Sequence, residues 1–255
     1  MVKYSRPGVE GAVKLASEKT PSAWMKYESC HKEMITSKGG DKLLSLDNEL
    51  DDLGIKIQKM KKPFVTKEEL LRVVEWKFGK GKPRYALMNH LKGNSVTDVK
   101  KASEAAFRAA AEDDVKGAVA AFCELRGVGP ATGSAVLCLY RPALFSFMDD
   151  EVIECLYEGK RGYTLKIYLD VNSQCADIAA RLGREWSPYR VGRALWAAAR
   201  SCAEGGLKEE IKEDDGEEAV VGSKKRGNGD ARKKRASDEV DGSTRSSRYP
   251  KRGKR

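Results

Sequence analysis

The chain has 255 residues, with 48 Lys and Arg against 38 Asp and Glu and a formal net charge of +10. No apolar stretch reaches bilayer length, and residues 1–20 carry Glu10 and Glu18 without a signal-type apolar run, so neither a membrane role nor a secretory leader is expected. The surplus charge is local: residues 223–255 hold thirteen basic against four acidic side chains, leaving the other 222 residues nearly neutral at thirty-five against thirty-four.

Residues 1–21 lack periodicity and read as a mobile N-terminus. Residues 22–62 read as an N-terminal helical segment, with Trp24, Met25 and Met34 in 22–36, and Leu43, Leu44, Leu46 and Leu50 in 41–53, at helical spacing. Lys56 to Lys62 is a basic connector ending at Pro63, and the compact core is expected over 63–203.

Within that core, Thr66-Lys67-Glu68-Glu69 is a capping box, opening a helix with Leu70, Val73, Val74 and Trp76 that stops near Gly79 to Gly81. Pro83 starts a helix through Leu91, and Ser95 with Asp98 caps the next, through about Ala111. Asp113 or Asp114 opens another to Leu125, and a helix from Pro130 runs to Tyr140. Asp150 opens a short helix to Tyr157, residues 164–182 form a longer one, and Ser187-Pro188 starts the last, through about Cys202. No strand pattern interrupts the series, so the expected fold class is all-α, with seven to ten helices. Residues 204–255 read as a disordered tail, first acidic and then basic.

The stretch Leu125-Arg126-Gly127-Val128-Gly129-Pro130-Ala131-Thr132, within a helix-hairpin-helix over 115–140, carries the most chemistry. Glycines at two-residue spacing let a ligand approach the backbone, and the helix that follows presents free N–H groups at its positive end. Gly127, Val128 and Gly129, with Thr132 assisting, can therefore hold one phosphate without a basic side chain. A tight helix corner with no ligand is the plainer alternative. Lys77, Lys80, Lys82 and Arg84 cluster around two glycines, as a second phosphate grip or as a solvated loop. Trp186, Tyr189 and Arg190 stand at a helix start, suited to core packing or to stacking on an extruded base.

With Phe147-Met148-Asp149-Asp150-Glu151-Val152 downstream, residues 120–157 resemble the helix-hairpin-helix module of the DNA glycosylase superfamily that includes endonuclease III and 8-oxoguanine glycosylase. The resemblance implies a glycosylase-like helical core and a catalytic Asp eighteen to twenty residues beyond the position of Ala131, which selects Asp149 and Asp150. Asp150, heading a helix, fits the family pattern better. Either aspartate can equally be a helix N-cap. A narrower resemblance, carried by Trp76-Lys77, Gly81 to Arg84, the hairpin, Phe147 to Glu151 and Ser187 to Trp196, covers residues 66–200 and points to an uncharacterised eukaryotic helix-hairpin-helix family.

Bifunctional members of the superfamily carry a Lys nucleophile at the position of Ala131, so the resemblance implies at most a monofunctional glycosylase without lyase activity. The four-cysteine run of the iron–sulfur members is absent. The cysteines (Cys30, Cys123, Cys138, Cys155, Cys175, Cys202) are scattered as reduced thiols, and His31 and His90 are the only histidines. No cofactor and no metal are expected. In the tail, Lys224-Lys225-Arg226 and Arg232-Lys233-Lys234-Arg235 are spaced like a two-part nuclear import signal.

The expected function is a DNA-binding, glycosylase-like protein, with base excision left open. The alternative is a non-catalytic nucleic-acid-binding or scaffold protein that keeps only the hairpin. Expected partners are nucleic acid, DNA ahead of RNA, and an import receptor reading the tail. The nucleus is the expected compartment, ahead of the mitochondrion.

Overall fold

A computed structural model describes residues 3–4 and 6–205. The described residues are all-helical and belong to one unit. The tail signal at Lys224 to Arg226 and Arg232 to Arg235 lies outside them. In chain order the helices are α1 (Val9–Ser17), α2 (Pro21–Ser29), α3 (His31–Lys59), α4 (Lys67–Lys80), α5 (Tyr85–Lys92) and α6 (Val96–Ala111). They continue with α7 (Val115–Cys123), α8 (Pro130–Tyr140), α9 (Asp150–Leu156), α10 (Leu165–Leu182) and α11 (Pro188–Ala203).

Local sequence chemistry explains most of these boundaries. The Thr66 hydroxyl accepts from the Glu69 N–H at 3.2 Å while the Glu69 carboxylate accepts from the Thr66 N–H at 2.7 Å, so the capping box closes in both directions. Ser95 caps α6, Asp114 caps α7, Thr164 caps α10 and Ser187 caps α11 through their side chains. α3 is interrupted at Gly39 and Gly40, the latter at φ 64°, a kink that separates two helices within residues 31–59. The gap expected between 36 and 41 falls at this break.

The N-terminal residues are not the mobile segment that their sequence suggests. α1 buries Val9, Ala12 and Leu15 and lies along α11 and α9. Contact is possible because α11 is alanine-rich and because Gly11 has no side chain. A Cβ at Gly11 would stand 2.6 Å from the Ala198 carbonyl oxygen and 2.6 Å from Cys202 Cβ. Residues 22–62 are likewise not separate from the core. Trp24, Ile35, Leu43, Leu46, Leu50, Leu53 and Ile57 share one buried cluster with Leu70, Val73, Leu137 and Trp196.

At the centre, α3, α4, α8 and α11 surround the aromatic residues Trp76, Phe147 and Trp196. Trp76 lies 5.1 Å from Phe147, centroid to centroid, and its indole N–H donates to Asp47 Oδ1 at 2.8 Å. The stacking role considered for Trp186 gives way to packing: it is buried, edge-on to Trp24 at 6.0 Å, with the Arg190 guanidinium 4.9 Å from its ring. This arrangement leaves the start of α8, the start of α9 and the end of α4 around one opening.

Candidate functional site

The α7–α8 hairpin is held from behind. Asn94 accepts from the Arg126 N–H at 3.0 Å and donates to the Arg126 carbonyl at 2.9 Å, while the Arg126 guanidinium donates to the Gly93 carbonyl. Gly127 has φ 77°, and a Cβ there would stand 2.5 Å from the Leu87 carbonyl oxygen and 2.9 Å from the Leu91 nitrogen. Both the left-handed backbone and the packing against α5 therefore require glycine at this position. Gly129 differs. Its backbone is extended at φ −122°, and nothing stands within 4 Å of an added Cβ. The protein's own packing gives no reason for glycine there.

The amides divide in the same way. The Val128 N–H donates to the Leu125 carbonyl at 3.1 Å, and its side chain is buried, so Val128 is not the open donor that its place in the motif suggests. The Thr132 and Gly133 N–H groups both donate to the Gly129 carbonyl, at 2.8 and 3.0 Å. The N–H groups of Gly127, Gly129 and Ala131 donate to no acceptor among the described residues.

These residues form one wall of a cleft of about 360 Å³. Thr132 lines it from the hairpin side; Lys77, Lys82, Arg84 and Leu87 come from α4, α5 and their connection; Phe147, Asp149, Asp150 and Tyr163 come from the region of α9. The volume lies in the range of small-molecule and nucleotide-sized sites. The structure thus brings together Gly127, Val128, Gly129, Thr132, Lys82, Arg84, Asp149 and Asp150 from the sequence reading.

Lys80 does not join them as a phosphate ligand. It is 2 % exposed, and its Nζ stands 2.7 Å from Asp149 Oδ2. The ammonium is boxed by Trp196, Trp76 and Phe147, at 4.1, 5.0 and 5.3 Å from their centroids. A cation so enclosed and already paired cannot reach a solvated strand. Its helical spacing faces it into the core, which its place in a basic sequence cluster concealed.

The two aspartates have different surroundings. Asp149 occupies the N-cap position of α9, yet its side chain makes no capping bond and turns to Lys80 instead. Burial raises its pKa, and the Lys80 ammonium offsets part of that. Asp150 is clamped: the Arg6 guanidinium donates to Oδ2, Tyr163 donates to Oδ1 at 2.7 Å, and Arg161 stands at 3.4 Å. Burial pushes the Asp150 carboxyl up, but the bonds from Arg6 and Tyr163 outweigh it and hold it below the ordinary carboxylate range.

Arg6, Arg161 and Tyr163 were invisible as site residues because they reach α9 from distant or unpatterned segments. Tyr163 also carries the Arg84 guanidinium 4.6 Å from its ring, which fixes Arg84 on the cleft rim. No group of three or more His, Cys, Asp and Glu side chains among the described residues converges as a metal site would. In comparisons with known proteins the chain matches no family model, no curated protein and no solved structure.

Proposed function

We propose that the cleft binds a DNA strand through the hairpin and hydrolyses an N-glycosidic bond in it. The observation that carries this reading is that Gly129, Ala131 and Asp149 line one nucleotide-sized cavity, with the Gly129 and Ala131 amides unpaired among the described residues. Backbone amides at a helix start suit a phosphate oxygen, and a contact of that kind positions a strand without reading its sequence. Lys82 and Arg84 add charge on the opposite rim. Tyr85, 73 % exposed, and Leu87 on α5 offer apolar surface where a side chain can replace a nucleotide drawn out of the stack.

Base loss breaks the C1′–N bond, sends its electron pair to the base and leaves positive charge on the sugar. An ionised carboxylate beside C1′ stabilises that charge, and water then adds to C1′. The sequence pattern favours Asp150 for this role, but the surroundings favour Asp149. Both Asp150 oxygens are taken by Tyr163 and Arg6, whereas Asp149 commits one oxygen to Lys80. Asp150 then serves to anchor the N-terminal segment.

The test is base release from a panel of duplexes carrying damaged or mismatched bases. Wild-type protein releases a base from at least one of them, and Asp149→Asn slows release by about 10²-fold or more while Asp150→Asn, which keeps the Tyr163 bond, slows it less. Release that survives Asp149→Asn overturns the assignment. A second reading, a binding module without chemistry, is favoured by Ala131 and by the neutralisation of Asp149 by Lys80; it predicts duplex binding with no base released from any member of the panel.

A further inference from the structure

The hairpin has no amine at Ala131, yet the cleft holds two, the exposed Lys82 and the half-buried Lys77. Lys77 lines it from α4, one turn before Lys80 and on the same helix face, but with the opposite environment. Lys80 is buried against Asp149; Lys77 is half-buried and makes no ion pair with the described residues. Its neighbours on the cleft wall are Arg84, Asp149 and Asp150. Burial lowers its pKa, the Arg84 guanidinium adds to the effect, and Asp150 and Asp149 offset part of it. An unpaired, desolvated amine on a cavity wall is the usual setting of a lysine that attacks carbonyl carbon.

We infer that Lys77 is a nucleophile for the aldehyde of an abasic deoxyribose, giving the cleft a strand-cleaving lyase activity supplied from α4 and not from the hairpin. This rests on the proposed binding of a DNA strand in the cleft. The neutral Nζ adds to C1′ of the ring-opened sugar, and loss of water leaves a protonated imine. A C2′ proton passes to a carboxylate on the cleft wall, for which Asp149 keeps one oxygen uncommitted. The C3′–O bond then breaks, and the 3′-phosphate leaves with its electron pair. Water hydrolyses the conjugated imine, returning the Lys77 amine and an unsaturated aldehyde on the cleaved end; the water lost in the first stage is regained in the last.

The experiment uses the purified full chain and a duplex with a single abasic site, with and without sodium borohydride, which reduces an imine to a stable amine. A borohydride-trapped adduct is expected, mapped to Lys77 by peptide mass spectrometry, with strand incision when the reductant is omitted. Lys77→Ala and Lys77→Arg are each expected to lose adduct and incision by on the order of 10²-fold, with abasic-duplex affinity kept within about threefold in Lys77→Arg, which retains the charge. Lys77→Arg retains the charge, so incision that survives it assigns Lys77 to electrostatics and overturns the proposal. So does an adduct mapped to another lysine. Wild-type protein that binds the duplex without forming an adduct refutes the lysine chemistry alone, whereas failure to bind any duplex refutes the reading on which it rests.

Discussion

Glu151 follows the two aspartates into α9 and is 4 % exposed, with Oε2 buried and without a hydrogen-bond partner. Burial, with the charge of Asp149 beside it, raises its pKa to about 7, against the opposing pull of Arg6 and Lys80. In the unfolded chain the same group titrates near its ordinary value of 4.5. Between those two values the folded state holds the additional proton, so this group's contribution to stability is fullest below the window and falls as pH rises through it. Glu151→Gln removes the ionisation. The variant is expected to lose less stability than wild type between about pH 4.5 and 7, and to melt roughly 5 °C higher at pH 8. Thermal melts of both proteins across that range provide the check, and equal pH slopes would show that Glu151 is not the titrating group. This consequence was beyond the sequence, which shows an acidic triplet but not which member is buried with a carboxylate oxygen unpartnered. The same holds for Lys80: a basic residue among basic residues gives no sign that three aromatic rings and a carboxylate enclose it.

Among the elements, the hairpin's two glycines answer to different constraints, Gly127 to packing and Gly129 to the proposed strand contact. Gly127→Ala places a methyl group against the backbone of α5 at a left-handed position, so a loss of at least about 2 kcal/mol is expected. Gly129→Ala meets nothing in the protein and keeps an ordinary extended backbone, so stability is expected to hold within about 0.5 kcal/mol. Its added methyl narrows the approach to the Gly129 and Ala131 amides, and affinity for abasic duplex is expected to fall by about tenfold. Chemical denaturation and anisotropy titration read the two effects separately; unchanged binding in a stably folded Gly129→Ala protein would remove the hairpin from the interface. Helix boundaries were legible in the sequence wherever a cap is a local event, as at Thr66 with Glu69, Ser95 with Asp98 and Ser187 before Pro188. α1 was not legible, because its docking depends on what Gly11 lacks and on alanines nearly two hundred residues away. For the site, the glycines and aspartates were visible as a spaced pattern. Tyr163 and Arg6 were not, since a three-dimensional neighbourhood assembles them.

For the whole molecule, the proposed strand binding would draw on charge and cleft as distinct contributors. Residues 223–255 carry thirteen basic against four acidic side chains, and the remainder is nearly neutral. A protein lacking 223–255 is expected to bind undamaged duplex at least about tenfold more weakly, with a shallower dependence of log affinity on log salt. Its preference for an abasic duplex over an undamaged one should be unchanged, because that ratio belongs to the cleft. Competition titrations at several salt concentrations measure both quantities, and a preference that disappears with residues 223–255 would place recognition outside the helical body.

α1 and α11, from the two ends of the described body, both pack against α9. Arg6 donates its backbone N–H to Glu154 and its guanidinium to Asp150, while α1 is seated along α11. Of the described helices α1 is made first and α11 last, so Arg6 has no docked α1–α11 pair to hold it in place until synthesis has passed residue 203. During that interval Arg161 already stands within ion-pairing distance of Asp150 and Glu154. The cleft beside α9 therefore acquires the charge of Arg6 only when the first of the described helices is captured by the last.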